Sequence, residues 1–224
     1  KPLIEYNLEH AVEAGVSEII IVVGYKKEEI MKYVGKEYHK VPVKYISQKN
    51  YDWLTTQGRK TITDRAYSLM ANIFGTSAAD IELPDTAGKA TSLYSLSATY
   101  TLVCLWDPTC SHCKETLPKL DSFYLTKWKA RGLKMFAVAK ETDGTQKDWL
   151  RFIHEHHLQE WINVYYSKAA DKARTEAGIP GYSQLYDVIT FPTLYLLDKD
   201  KRIIAKKLTY QQIDEVLEIK INSH

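Results

Sequence analysis

The 224-residue chain has no surplus of charge of one sign and no long apolar run. Its 30 basic and 28 acidic residues give a net charge of +2, which is too balanced to indicate a nucleic-acid partner or a charged membrane surface. No apolar run approaches the ~20 residues that a membrane-spanning helix requires, and the opening Lys1–Glu5 lacks the apolar segment of a signal peptide. The sequence therefore predicts no nucleic-acid partner and no membrane span.

Cysteine is also scarce, with three residues in the chain. A structural zinc site needs four ligands, yet Cys104 is the one cysteine besides the pair Cys110 and Cys113. The histidines within 154–157 do not have the spacing of a zinc finger. A half zinc site and a structural disulfide remain alternatives for the pair, but the sequence favours neither and predicts no metal.

The chain does contain enough apolar material for a packed core, with 45% hydrophobic residues and 16 tyrosines. Its most informative feature is a Cys-x-x-Cys pair that follows the apolar run Tyr100–Trp106 and precedes a helical pattern. This order predicts a buried strand, a short loop and a helix whose first turn carries both thiols. A helix N-terminus favours a thiolate, which attacks disulfides, and the second thiol can resolve the mixed disulfide. The pattern therefore predicts a thiol-disulfide oxidoreductase.

Three segments are predicted: an α/β fragment at 1–49, a helical connector at 50–75 and an α/β domain at 76–224. In the first, a continuous β-branched run indicates a strand at Ser17–Gly24 that is buried on both faces. The connector carries an amphipathic helix at Thr61–Phe74. The third opens with a β-hairpin at Ile81–Leu93 and then alternates strands with helices, including a strand at Val188–Leu197.

The fragment at 1–49 resembles part of the sugar-nucleotide nucleotidyltransferases. The resemblance rests on Lys-Pro-Leu-Ile-Glu-Tyr at the start and on Ile-Ile-Ile-Val-Val-Gly-Tyr at 19–25. The glycine-rich nucleotide loop and the aspartate motif of that family do not occur in it. We therefore expect this fragment to be non-catalytic and not to bind nucleotides.

Residues from about 75 to 220 resemble the thioredoxin-like proteins of the TlpA/ResA type, and in detail those of the Bacteroides group. The resemblance is carried by three sequence motifs: Leu-Pro-Asp-x-x-Gly-Lys at 83–89, Trp-Asp-Pro-Thr-Cys-Ser-His-Cys-Lys at 106–114 and Thr-Phe-Pro-Thr-Leu-Tyr-Leu-Leu-Asp at 190–198. The resemblance implies a thioredoxin-like fold with an N-terminal hairpin. It also implies an extracytoplasmic enzyme that exchanges disulfides with protein thiols and with an upstream redox partner.

The same resemblance implies roles for individual residues. Cys110 is the nucleophile and Cys113 the resolving thiol, and the redox-active disulfide between them replaces any other cofactor. Pro192 is the cis-proline that faces this pair, and Phe191 and Pro192 face the substrate. His112 is expected to favour the Cys110 thiolate. Six residues of the motif are predicted to tune the pair: Trp106, Asp107, Pro108, Thr109, Ser111 and His112.

Two positions depart from the family pattern. Thioredoxins carry a buried aspartate six residues before the first active-site cysteine, where this chain has Cys104. A thiol accepts a proton less readily than a carboxylate, and the simplest interpretation of Cys104 is a small core residue. Many ResA-type proteins place a glutamate three residues after the second cysteine; here that residue is Thr116, and Glu115 lies one position earlier.

Two other functions stay open at this point. One is a peroxiredoxin-like peroxidase, because the words at 83–85 and the hairpin also occur in such proteins. The spacing Pro108-Thr109-Cys110 does not match the Pro-x-x-x-Thr/Ser-x-x-Cys context of a peroxidatic thiol, however. The other is a non-catalytic thioredoxin-fold binding module, against which an intact Cys-x-x-Cys pair argues.

Overall fold

The computed structural model describes residues 3–24, 27–47, 68 and 72–222, and the chain divides into two compact units, Lys1–Thr61 and Ile62–His224. The α-helices, numbered in chain order, are α1 Leu3–Glu13, α2 Lys27–Val34, α3 Ser111–Phe123, α4 Gln146–Glu155, α5 Lys168–Glu176, α6 Tyr182–Leu185 and α7 Tyr210–Asn222. The strands are β1 Ile19–Val23, β2 Glu37–Tyr38, β3 Val41–Ser47, β4 Glu82–Pro84, β5 Ala90–Ser92, β6 Tyr100–Trp106, β7 Leu133–Lys140, β8 Ile162–Tyr166, β9 Thr193–Leu197 and β10 Ile203–Lys206. The predicted helix at Thr61–Phe74 and the connector at 50–75 lie largely outside the described residues.

The first unit contains a three-stranded sheet in the order β1-β3-β2, with β1 parallel and β2 antiparallel to β3. Leu8 of α1 and Val34 of α2 form its core with Ile19 and Val43. The prediction that the first strand is buried on both faces was wrong, because the side chains of β1 alternate between the core and solvent. Val22, for example, is 62% exposed. The two-residue strand β2 is too short to produce a sequence pattern.

The second unit is built on a five-stranded sheet in the order β10-β9-β6-β7-β8. The strands β6, β7 and β8 are parallel, while β9 runs antiparallel to both β6 and β10. Central β6 is buried on both faces, which explains its continuous apolar sequence. Cys104 and Trp106 point into the core that includes residues of α3, α4 and α7, whereas Val103 and Leu105 point into the core that includes the hairpin.

The parallel pair β6–β7 requires a crossover, which α3 provides. The crossover is not one regular α-helix along its whole length. Helix α3 ends at Phe123 and continues as a π turn at Tyr124–Trp128 and a 3-10 turn at Lys129–Arg131. Gly132 ends this segment with a φ of +77°, and a Cβ there would lie 2.5 Å from Oγ1 of Thr99.

The predicted N-terminal hairpin is confirmed as β4 and β5, whose turn is closed by Asp85. The hairpin lies beside the edge strand β8 through the bridge between Asp85 and Val164. A tyrosine hydroxyl anchors this segment to the rest of the unit, because Tyr186 donates to the Ala79 carbonyl oxygen at 2.5 Å. Within the segment, Tyr94 donates to the carbonyl oxygen of Ala78 at 2.8 Å. The hairpin thus protects a sheet edge that would otherwise be open to pairing.

The last predicted strand begins later than the sequence pattern indicates. Strand β9 starts at Thr193, directly after Pro192, which has no N–H for ladder pairing. Residues before Pro192 form a loop in which Ile189 is 71% exposed. The four-residue helix α6 is too short for a periodic signal and was not predicted. No helix in the described parts of the chain is long and apolar enough to cross a membrane.

Candidate active site

Cys110 is the N-cap residue of α3, at the point where the chain turns from β6 into the helix. Its backbone is extended, with φ −68° and ψ 119°, and its Sγ accepts a hydrogen bond from the backbone N–H of Cys113 at 3.4 Å. The first N–H groups of a helix lack partners within the helix, so a sulfur at this position can satisfy one of them. Cys110 is partly exposed, whereas Cys113, one turn further along, is fully buried.

Asp107 shapes the loop that carries Cys110. One oxygen of its buried carboxylate, Oδ1, accepts hydrogen bonds from both the backbone N–H and the hydroxyl of Thr109, each at 2.7 Å. Its carbonyl oxygen accepts the backbone N–H of Cys110 at 3.2 Å. Asp107 therefore fixes the two residues that precede the helix.

The loop before β9 supplies the opposite wall of the site. The Cys110 thiol donates to the carbonyl oxygen of Phe191 at 3.8 Å, across 81 residues of sequence. The Phe191–Pro192 peptide bond is cis in the structure. Strands β6 and β9 are neighbours in the sheet, with Leu105 opposite Thr193, and this pairing brings the two loops together.

Burial dominates the electrostatics of the other two thiols. It raises the pKa of the Cys113 thiol well above its ordinary value; a hydrogen bond from the Asp107 backbone opposes this shift, and the hydrogen bond and charge of Cys110 add to it. Burial likewise raises the pKa of Cys104, which lies opposite Leu194 in the sheet. In the structure all three cysteines are free thiols. The partly exposed sulfur of Cys110 is therefore placed to react, and Cys113 holds its proton.

The other predicted site residues occupy different environments. Trp106 is fully buried and packs against Phe152 with ring centroids 4.9 Å apart, so it supports the loop from the core. Pro108 is buried, whereas Thr109, Ser111 and His112 are exposed. Trp106 and Pro108 are therefore part of the packed interior, while Thr109, Ser111 and His112 lie at the surface around the pair.

A groove of about 460 Å³ lies beside the pair. His112 and Thr116 of α3 form one wall, and Glu115 is exposed on the same helix. The groove is lined by His112, Thr116, Ile189, Thr190, Pro192, Thr193, Leu194, Lys207, Leu208, Thr209, Tyr210 and Gln211. No signal in the sequence links the loop before α7 to the cysteines, so its contribution to the groove is visible only in the structure.

No cluster of three or more histidine, cysteine or acidic side chains that could hold a metal ion occurs among the described residues. The thiols of Cys110 and Cys113 are the nucleophilic groups at the start of α3. A thiol at a helix start, with a second thiol one turn along, is suited to forming and resolving a mixed disulfide.

The chain matches a uridylyltransferase over a short range. It is 37% identical over 49 residues to the UTP–glucose-1-phosphate uridylyltransferase AglF of Haloferax volcanii. The match covers 22% of this chain and 20% of that protein. It supports a fragment-level likeness and nothing about catalysis.

Other matches span a larger part of the chain. The thiol-disulfide oxidoreductase ResA of Bacillus thuringiensis subsp. konkukian is 26% identical over 147 residues, which are 64% of this chain and 76% of that protein. A domain of a possible thiol-disulfide isomerase from Cytophaga hutchinsonii has a TM-score of 0.57 and 32% identity, covering 67% of this chain and 95% of that one. A thioredoxin-like protein from Bacteroides caccae has a TM-score of 0.59 and 27% identity, and the match covers 77% of this chain and 57% of that one. The predicted thioredoxin-like α/β fold is thus confirmed.

Residues 74–206, more than half of the chain, match the AhpC/TSA family. The chain therefore belongs to the AhpC/TSA family, and its thioredoxin-like domain groups with the thiol-disulfide oxidoreductases of that fold.

Proposed function

We propose that the protein exchanges disulfides with protein substrates through Cys110 and Cys113, without a further cofactor. The observation that carries this proposal is the asymmetry of the pair. Cys110 is partly exposed at the start of α3, whereas Cys113 is buried and has a raised pKa. The Cys110 sulfur is placed to attack a substrate disulfide, and the Cys113 sulfur is placed to resolve the mixed disulfide afterwards.

In the proposed reaction, the Cys110 thiolate attacks a substrate disulfide, forms a mixed disulfide and releases one substrate thiolate. Cys113 then attacks Cys110, which forms the Cys110–Cys113 disulfide and releases the second substrate sulfur; this leaving thiolate takes up a proton as Cys113 loses one. The substrate gains two electrons, and an upstream thiol partner returns the pair to its reduced form. The reverse direction uses the same steps.

The groove beside the pair supports a protein substrate. Its apolar members include Ile189 and Tyr210, and Pro192, which also lines it, directly follows Phe191, whose carbonyl oxygen accepts the Cys110 thiol. An extended chain that lies here brings its disulfide to Cys110. The proposed location of the protein is extracytoplasmic, where disulfides persist and enzymes of this kind have substrates.

Reduction of insulin by dithiothreitol tests the proposal. The wild type should accelerate insulin precipitation, and both Cys110→Ser and Cys113→Ser should abolish turnover. Cys113→Ser should retain the substrate as a mixed disulfide, which Cys110→Ser should not. A hydrogen peroxide assay run in parallel addresses the peroxidase alternative, since peroxide consumption without insulin reduction would replace this proposal. A wild type that is inactive in both assays would indicate a binding module.

A further inference from the structure

A close approach of two loops lies behind the active-site turn. The segment between β7 and α4 contains Gly144, and a Cβ built on that glycine would lie 2.7 Å from Cγ2 of Thr109. Real side chains do not approach this closely, so only glycine fits while Thr109 keeps its place. The backbone of Gly144 has no positive φ, and alanine would therefore suffer from this contact and not from its own dihedral angles.

Gly144 is itself held firmly. The next residue, Thr145, is the N-cap of α4 and forms a reciprocal capping box with Asp148. The Thr145 N–H donates to Oδ2 of Asp148 at 2.9 Å, and the Asp148 N–H donates to Oγ1 of Thr145 at 3.3 Å. This carboxylate has a lowered pKa because the backbone and hydroxyl of Thr145 bind it. The backbone of Gly144 therefore cannot move easily away from Thr109.

Asp107 holds the same threonine from that other side, through the two 2.7 Å hydrogen bonds to its carboxylate. Thr109 is thus held between the Asp107 carboxylate on one side and the backbone of Gly144 on the other. Cys110 is the next residue, and the Asp107 carbonyl oxygen accepts its N–H. The contacts that hold Thr109 therefore also determine where the Cys110 sulfur lies relative to the helix start.

We propose that Gly144 is a positioning residue for the redox pair: the absence of its side chain lets Thr109 seat between the α4 cap and Asp107, and this contact fixes Cys110 against the N–H of Cys113. The inference rests on the proposed function only in taking Cys110 as the reactive thiol. It predicts that a residue outside the Cys-x-x-Cys motif sets the reactivity of that thiol.

The test is the alkylation rate of Cys110 by iodoacetamide in the full-length protein, together with its redox equilibrium with glutathione. Gly144→Ala should slow alkylation at least about fivefold, which corresponds to about 1 kcal/mol, because a displaced Cys110 sulfur is further from the N–H groups of the helix start that favour a thiolate. It should also shift the glutathione equilibrium towards the disulfide, because a displaced sulfur loses its hydrogen bond to the Cys113 N–H.

A second substitution, at Thr109, shows whether the effect of Gly144→Ala comes from its contact with Thr109 or from a general loss of structure. Thr109→Ser removes Cγ2 but retains the N–H and hydroxyl that bind Asp107, so in the Thr109→Ser background the effect of Gly144→Ala should fall to within about twofold. Gly181→Ala is the matched control. A Cβ there would also lie 2.7 Å from a neighbour, Oδ1 of Asp171, but away from the active-site loop. It should leave the alkylation rate within about twofold of the wild type.

Each outcome bears on the proposal. Alkylation of Gly144→Ala at the wild-type rate, an equal loss in the Thr109→Ser background, or an equal loss in Gly181→Ala would overturn it. If Gly144→Ala does not fold, folding of the double variant with Thr109→Ser supports the proposal, and failure of the double variant overturns it. Alkylation requires no disulfide exchange. A wild type inactive on insulin, with slowed alkylation in Gly144→Ala, would therefore refute the proposed function and leave this inference standing.

Discussion

The asymmetry between the two active-site thiols leads to a quantitative prediction. In the reduced protein, iodoacetamide should modify Cys110 much faster than Cys113, because the Cys113 side chain has 0% exposure and must be uncovered before it can react. Uncovering it requires the first turn of α3 to open, at a cost of at least ~2 kcal/mol, the value for exposing one buried side chain. Since 1.36 kcal/mol corresponds to a factor of ten, burial alone should slow Cys113 at least about thirtyfold. Its raised pKa reduces the thiolate fraction further.

The assay is a time course of alkylation at neutral pH, quenched and digested, with each cysteine-containing peptide quantified by mass spectrometry. Cys104 is an internal reference, since it is also fully buried and should remain unmodified until denaturant is added. Equal rates for Cys110 and Cys113 in the folded protein would refute the assignment of attacking and resolving thiols. Faster labelling of Cys113 would reverse it.

Three further predictions follow from other contacts. Tyr186→Phe should lower the free energy of unfolding by ~1–3 kcal/mol in urea titrations, because it leaves the Ala79 carbonyl oxygen without its 2.5 Å partner; an unchanged midpoint would show that this anchor is dispensable. Burial raises the pKa of Asp121 despite its 2.7 Å hydrogen bond from Trp161, so its ionisation costs stability as pH rises through the folded-state pKa. Asp121→Asn should therefore be more stable than the wild type at pH 7, and urea titrations should show the difference shrinking below about pH 4, where the unfolded carboxyl is also protonated. Deletion of residues 1–49 should leave insulin reduction unchanged, because the thiol site is built from residues of the second unit; loss of activity in a folded truncated protein would contradict this.

Local sequence signals were sufficient for the elements around the cysteines. The run Leu102–Trp106 supplies apolar side chains to both cores, and the helix that follows it starts where the thiols indicate. The hairpin turn at Asp85 was also predictable, because an aspartate that binds its own downstream backbone is a local device. These features depend on residues within a few positions of one another.

Sequence patterns did not predict which side chains are buried where burial depends on the layer that packs against a sheet. The run Ile19–Val23 is as apolar as β6, yet its middle residues alternate between the core and solvent, because the core of the first unit lies on one face of its small sheet. Apolar content identified the strand in both cases. The sequence alone did not reveal which faces would be covered.

The sequence by itself determined the candidate redox groups of this protein: two thiols, their spacing, and a helix start that presents the first of them. The tertiary structure decided what surrounds those thiols. Phe191 reaches Cys110 because β9 pairs with β6, and Gly144 reaches Thr109 because the α4 cap lies beside the active-site turn. Such contacts join residues that are tens of positions apart, and their fit depends on tenths of an ångström in the packing of separate elements. A one-dimensional pattern carries no measure of that distance.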